Sequence, residues 1–158
     1  VVGLENDLWL PAVETLGNIG RAAAPAVQRL SQYLELSEVK DYNRLGLTVW
    51  AIGKIGTKDP EIVRKMVQAT LRLPRACPHR PKAEEGLVAL GKFGVEVIGT
   101  MLDDKDDRFT VKATRLLAKM GWAAVPALEK LNRSGSSSVR QAAEEGLTSI
   151  CNARRWDL

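Results

Sequence analysis

The sequence predicts an all-α fold, a right-handed αα-superhelix (α-solenoid) of four to five helix pairs, and three observations carry that prediction. First, a glycine-bearing phrase recurs: Leu16-Gly17-Asn18-Ile19-Gly20, Ile52-Gly53-Lys54-Ile55-Gly56 and Leu90-Gly91-Lys92-Phe93-Gly94. Weaker copies follow at Leu117-Ala118-Lys119-Met120-Gly121 and Leu147-Thr148-Ser149-Ile150-Cys151. Self-similarity at such intervals is the signature of stacked repeats. Second, a small residue (Ala12, Thr48, Gly86, Ala113, Ala143) stands four positions before the Leu/Ile of each phrase, and a large apolar one (Ile19, Ile55, Phe93, Met120, Ile150) stands three after. Small, large and large at i, i+4 and i+7 mark one buried face of a helix. Third, Pro25, Pro60 and Pro126 follow three of the phrases, where proline opens a helix without losing a needed hydrogen bond.

Each element follows from these marks. First helices are expected to end at Ile19 and to cover 41–55, 82–93, 108–120 and 138–151. Gly20, Gly56, Gly94 and Gly121 are read as left-handed stops at their C-termini. Return helices are expected over 26–34, 61–73, 95–102 and 127–131, with the apolar pairs Val27/Leu30, Val63/Met66, Ile98/Met101 and Leu128/Leu131 facing inward. The inner glycines Gly17, Gly53 and Gly91 cost roughly 1 kcal/mol each against alanine in an exposed helix. Their recurrence points to a place where a side chain would strike the returning helix. Leu90 is placed on the central buried face, where truncation to alanine costs on the order of 2–4 kcal/mol. The repeats fall at about 7–36, 37–81, 82–103, 104–133 and a partial repeat or cap at 134–158, all in one domain. The second is lengthened by a proline-punctuated loop, Leu73-Pro74-Arg75-Ala76-Cys77-Pro78-His79-Arg80-Pro81, that is not helical throughout.

The segments Val111-Lys112-Ala113 through Leu131 and Val139-Arg140-Gln141-Ala142-Ala143 through Ile150, with Ala123-Ala124-Val125-Pro126-Ala127-Leu128 and Ala23-Ala24-Pro25-Ala26-Val27, resemble the HEAT-like repeat. The likeness is to the short form named after phycobilisome lyases and covers roughly residues 8–151. It implies a solenoid whose second helices line a concave binding side. On activity it is nearly silent, since such repeats occur in lyase subunits, scaffolds, an iron hydroxylase and relatives of glycosylases. The repeated His-Glu pair of the hydroxylases is absent.

Composition narrows the chemistry. The 158 residues carry 23 Lys and Arg against 19 Asp and Glu, a formal charge of +4, which permits an acidic partner without requiring one. The longest apolar runs fall far short of the ~20 residues of a membrane span. No basic-then-apolar leader opens the chain, although a start at Val1 rather than methionine reads as an excised segment. Two cysteines, Cys77 and Cys151, are too few for a disulfide scaffold, so cytoplasm is the default compartment. His79 is the only histidine. Cys77 and His79 supply two ligands where structural zinc takes four, and the flexible loop they share reads as solvated. No catalytic residue, metal or cofactor is predicted. The run Asp103-Asp104-Lys105-Asp106-Asp107 lacks the glycine and distal glutamate of a calcium loop and reads as a helix-capping turn. Ser134 to Ser138 is its counterpart one repeat later.

The predicted activity is therefore binding. Matched positions on the second helices read Gln28-Arg29, Arg64-Lys65, Gly99-Thr100 and Glu129-Lys130, a ladder that is basic at its N-terminal end. Arg72, Arg75 and Arg80 extend the positive character. Arg29, Arg64, Lys65, Arg72 and Lys130 are the candidate partner contacts, for an acidic protein, unless they merely solvate their helices. Trp50 stands where other repeats carry Glu14, Val88, Arg115 and Glu145, and is either an exposed anchor or local repacking around the long loop. Trp9, Trp122 and Trp156 lie near helix ends and read as covers for core edges. Nucleic acid in the basic groove is the alternative partner, although no basic and aromatic interleaving suited to stacking bases appears. A bilin lyase-like subunit is the second alternative, implied by the resemblance alone.

Overall fold

The computed structural model describes residues 2–35, 41–102 and 106–154. Every regular element in them is helical: α1 (Val2–Ile19), α2 (Val27–Glu35), α3 (Tyr42–Ile55), α4 (Pro60–Arg72), α5 (Arg80–Val88), α6 (Gly91–Met101), α7 (Asp107–Lys119), α8 (Val125–Leu131) and α9 (Ser137–Arg154). Short 3-10 turns at Gly20–Ala26 and Gly121–Ala124 lead into α2 and α8. The chain forms two compact units, residues 1–90 and 91–158. Trp156, the 103–105 part of the acidic run and the repeat boundary near 36–37 lie outside the described residues.

In the first unit α3 is the central element. Asp41 caps it by accepting the Arg44 amide at 3.1 Å. Gly56, at φ 88°, ends it with its amide on the Ile52 carbonyl at 2.9 Å. Every residue from Leu45 to Gly53 is buried, so α3 is enclosed all round by α1, α2, α4 and α5. Thr48 occupies a fully buried small-residue position because its hydroxyl donates back to the Arg44 carbonyl at 2.8 Å. α4 opens with Asp59 accepting the Glu61 amide at 2.9 Å and Pro60 in its first turn. It buries Ile62, Val63, Met66 and Val67.

The contact between α3 and α5 is made by backbone. A Cβ on Gly53 would overlap the Gly86 carbonyl, and one on Gly86 would stand 2.7 Å from both the Val49 oxygen and the Trp50 Cα. One turn or two away, a Cβ on Gly46 would come within 2.8 Å of the His79 Cβ. Across the other face of the unit, Gly17 of α1 is covered by the Trp50 ring. Gly17 and Gly53 thus yield to the next first helix, not to the returning helix as the sequence suggests, while an added Cβ on Gly91 would meet nothing within 4 Å. In the first two phrases the inner glycine serves helix packing and the outer glycine, at positive φ, the turn that follows.

Residues 74–79 form a folded connection. The Cys77 amide donates to the Pro74 carbonyl at 3.0 Å and the Arg80 amide to the Cys77 carbonyl at 3.1 Å. Cys77 is buried, with Sγ 3.7 Å from the Tyr42 carbonyl. Arg80 reaches back to the Leu73 carbonyl at 2.8 Å and forward to Glu84 at 3.2 Å. The expected solvated loop is therefore a strap pinned over the start of α3, and Arg80 is occupied in pinning it.

The second unit is built around α7 and α9, with α8 against both. Asp106 caps α7 by accepting the Arg108 amide at 2.9 Å, which is the capping role read from the acidic run. Asp107, in the first turn of α7, accepts the Ser136 hydroxyl at 2.9 Å, and Arg140 of α9 donates to the Ser134 and Gly135 carbonyls. Gly146 of α9 meets α7 at Ala118, where an added Cβ would lie 2.8 Å from the alanine methyl. Leu117, Leu128, Ala113, Ala143 and Ile98 are fully buried.

Three expectations are corrected. α5 ends at Val88 rather than residue 93, because Gly91 rather than Gly94 takes the left-handed conformation, at φ 57°. Gly94 is buried inside α6. Leu90 consequently sits half-buried at the turn, and Leu87, with no exposed surface, holds the core position. In α1, Ala12 is exposed and Ile19 is 53% exposed, since the face they share has no helix against it among the described residues. Gly20, Gly56 and Gly121 do take positive φ.

We expect Gly53→Ala to lower the free energy of unfolding by about 2–3 kcal/mol in urea titration, since backbone on both sides must move. Gly99→Ala in α6, where an added Cβ meets open space, should be neutral or stabilising by up to about 1 kcal/mol. Leu87→Ala should cost about 2–4 kcal/mol and Leu90→Ala markedly less.

Candidate functional site

The second helices of the first unit present a polar face. On α2, Val27, Leu30 and Leu34 turn inward while Gln28, Arg29, Gln32 and Glu35 are exposed. On α4, Glu61, Gln68 and Arg72 are exposed, and Arg64 and Lys65 are partly so. The 3.6-residue period puts 61, 64, 65, 68 and 72 on one side of α4, opposite its buried Val63 and Met66. α2 packs on α4. An ion pair between Lys65 and Glu35 spans the two helices, and Arg64 pairs with Glu61 one turn back.

The face thus carries four cationic side chains and two carboxylates, and both carboxylates are engaged. Neither Arg29 nor Arg72 has an ion-pair partner among the described residues. Arg75, on the 74–79 connection, is exposed as well. Lys130 is exposed on α8 of the second unit, beside Glu129. The structure therefore brings Arg29, Arg64, Lys65 and Arg72 onto two adjoining helices, removes Arg80 from the set, and leaves Lys130 in a separate unit.

Trp50 is a packing residue. It is 7% exposed, with its ring over Gly17 and the Lys82 ammonium 5.3 Å from the ring centroid. Its burial removes the exposed anchor from the site, and its ring packs over Gly17 of α1 rather than around the long loop. The physical reason is Gly17, whose bare backbone leaves the space an indole fills. Trp122 is 53% exposed on the second 3-10 turn. Trp9 does cover an edge, meeting Tyr33 edge-on at 5.1 Å, with the Arg44 guanidinium 5.4 Å above its ring and paired to Asp41 at 3.0 Å.

Sequence reasoning misses the ion pairs that border the first-helix seams. Lys82 of α5 donates to Glu14 of α1 at 2.9 Å, and Lys54 of α3 lies 2.6 Å from Glu85 of α5. Each joins residues more than thirty positions apart with no shared motif. Glu14 is held below the usual carboxylate range by the hydrogen bond and charge of Lys82, with His79 adding to it. Glu85 is lowered in the same sense, chiefly by its hydrogen bond to Lys54, with the Trp50 indole assisting. Both carboxylates are exposed, so the pairs contribute little individually.

Among the described residues no three His, Cys, Asp or Glu side chains converge on a point. A shallow depression on α9, lined by Gln141, Glu144, Glu145, Thr148, Ser149 and Asn152, belongs to one exposed helix face. No helix among the described residues is long and apolar enough to cross a membrane. No protein-family model matches the chain, and no curated protein is significantly similar to it.

Because the Glu14 and Glu85 carboxyls are lowered in the folded chain, their pairs stabilise it above the ordinary carboxylate range and are lost as pH falls through the lowered values. Urea midpoints measured from about pH 6 down to pH 3 should therefore fall more steeply for the wild type than for Lys54→Met/Lys82→Met. Parallel slopes would show that these pairs are not linked to folding.

Proposed function

We propose that the helix pairs are HEAT-like repeats stacked as an α-solenoid, and that the chain is a non-catalytic binding module holding an acidic segment of a partner protein. The observation that carries this reading is the α2–α4 face, where two carboxylates are already paired and Arg29 and Arg72 remain to meet incoming carboxylates. Gln28, Gln32 and Gln68 add neutral hydrogen-bonding groups to the same surface. Support for the solenoid comes from first helix packing on first helix in both units, α1 on α3 on α5 and α7 on α9.

Its mechanism is electrostatic. Exposed cations on rigid helices steer and orient the partner, and the existing Lys65–Glu35 and Arg64–Glu61 pairs hold two of those cations in place. With Trp50 buried, little apolar area is offered, so affinity is modest and falls with salt. Two unpaired thiols, one exposed at Cys151, fit a reducing compartment such as the cytoplasm.

Fluorescence anisotropy with a labelled Glu/Asp-rich peptide and with a labelled DNA duplex tests this. The wild type should bind the peptide, and Arg29→Glu/Arg72→Glu should weaken binding on the order of tenfold while leaving the unfolding midpoint unchanged. Equal binding by both proteins would remove the face from consideration. Duplex binding with a steep salt dependence, and none to the peptide, would put the nucleic-acid reading in its place.

A further inference from the structure

The exposed side of α7, inside the second unit, carries a row of cations. Arg108, Lys112, Arg115 and Lys119 are all exposed. At 3.6 residues per turn, their four-three-four spacing sets them within about 60° of arc, about 6, 4.5 and 6 Å apart along the axis. On the far side α7 buries Thr110, Ala113, Thr114 and Leu117. Asp107 of α7 is occupied by the Ser136 hydroxyl, and Asp106 is used in the cap. Arg108, Lys112 and Arg115 have no ion-pair partner among the described residues.

Solvation of the helix does not call for such a row. Like charges three and four residues apart repel and weaken a helix. Elsewhere in the chain, cations at that spacing face carboxylates, as Lys92 faces Glu96 and Arg64 faces Glu61. Nor does the repeat supply the row. At the same four positions α1 and α9 have no cation, and α3 has only Lys54.

We propose that this row is a contact for the sugar–phosphate backbone of a nucleic-acid duplex, independent of base sequence and separate from the α2–α4 face. A straight row of fixed cations on a rigid helix suits a rigid polyanion with charges at short, regular intervals, which a duplex is. Such a contact releases condensed counterions and positions the duplex without an apolar core. A folded protein partner requires that core, and the row contains no apolar side chain to form one. A lipid surface is broad. Lying on α7 it would also meet α9, which packs beside α7 and exposes Glu144 and Glu145, the latter at the register position of Arg115. A strand of backbone is narrow enough to follow α7 alone. No aromatic side chain stands in the row for unpaired bases to stack on, which favours a duplex over a single strand.

Fluorescence anisotropy with short labelled DNA and RNA duplexes, over about 50 to 200 mM salt, tests the assignment. The wild type should bind, with log affinity falling linearly in log salt. Lys112→Gln/Arg115→Gln should reduce that slope by about two, one for each lost phosphate contact. Arg29→Gln/Arg72→Gln removes the same charge from the α2–α4 face and should leave the slope unchanged. Both variants should unfold at the wild-type midpoint, since the side chains are exposed. Lys112→Arg/Arg115→Lys should keep the full slope. Absence of duplex binding at about 50 mM salt, or an equal change in the two glutamine variants, would overturn the proposal. So would tighter binding, through Lys112 and Arg115, of a single strand, of the Glu/Asp-rich peptide or of mixed phosphatidylserine–phosphatidylcholine vesicles. The two variants alter different units, so failure here leaves the peptide reading of the α2–α4 face standing.

Discussion

The rest of the first unit depends on the backbone contact between α3 and α5 at Gly53 and Gly86. Close-packed interiors usually hold helices apart by side chains. Here the Gly86 carbonyl lies where the first atom of a side chain on Gly53 would stand, so the helices are as near as main chain permits. That proximity decides what surrounds it. It carries α5 onto α3 so tightly that the Leu45–Gly53 stretch has no solvent side. It also brings Lys54 within reach of Glu85 on α5 and lets Lys82 of α5 reach past α3 to Glu14 on α1. The 74–79 strap, pinned by Arg80, sets where α5 begins and thereby keeps the two glycines in register.

Charge on this chain is divided by that geometry. In the first unit Lys54 and Lys82 are spent on Glu85 and Glu14, and the Arg44 guanidinium is spent on Asp41 and the Trp9 ring. The second helices keep theirs in part. Each cation paired there has a partner on its own helix or the adjacent one, and the arginines at positions 29 and 72 extend past these pairs.

Much of the helical layout was legible because it rests on local chemistry. Helix ends follow Asp106 as a cap, Pro60 and Pro126 as openers, and glycine at positive φ as stops, all within four residues of what they control. The end of α5 escaped this reading because Gly91 and Gly94 both stand near the stop and only three-dimensional packing selects between them. Gly17 and Gly53 were recognised as packing positions but assigned the wrong neighbour, since spacing gives a face and never names what meets it, and Gly91 is a turn residue with no packing role. For the site, the cations on α2 and α4 were readable from the repeat alignment. Their pairing with Glu35 and Glu61 was not, and the burial of Trp50 is a tertiary consequence of an absent side chain thirty-three positions earlier.

The two units solve the same problem with different tolerances, and this bears on how such a chain can be rearranged over evolutionary time. In the second unit the close approach of α7 and α9 uses a glycine against an alanine, so one methyl group is already accommodated. Between α3 and α5 two glycines face each other and no methyl fits on either side. A helix pair duplicated from the second unit into the first would bring a methyl to a boundary that admits none. Exchange in the opposite direction would meet no such obstacle but would leave a void. The helix pairs look like interchangeable modules in the sequence, yet their boundaries are keyed to the neighbour each one meets.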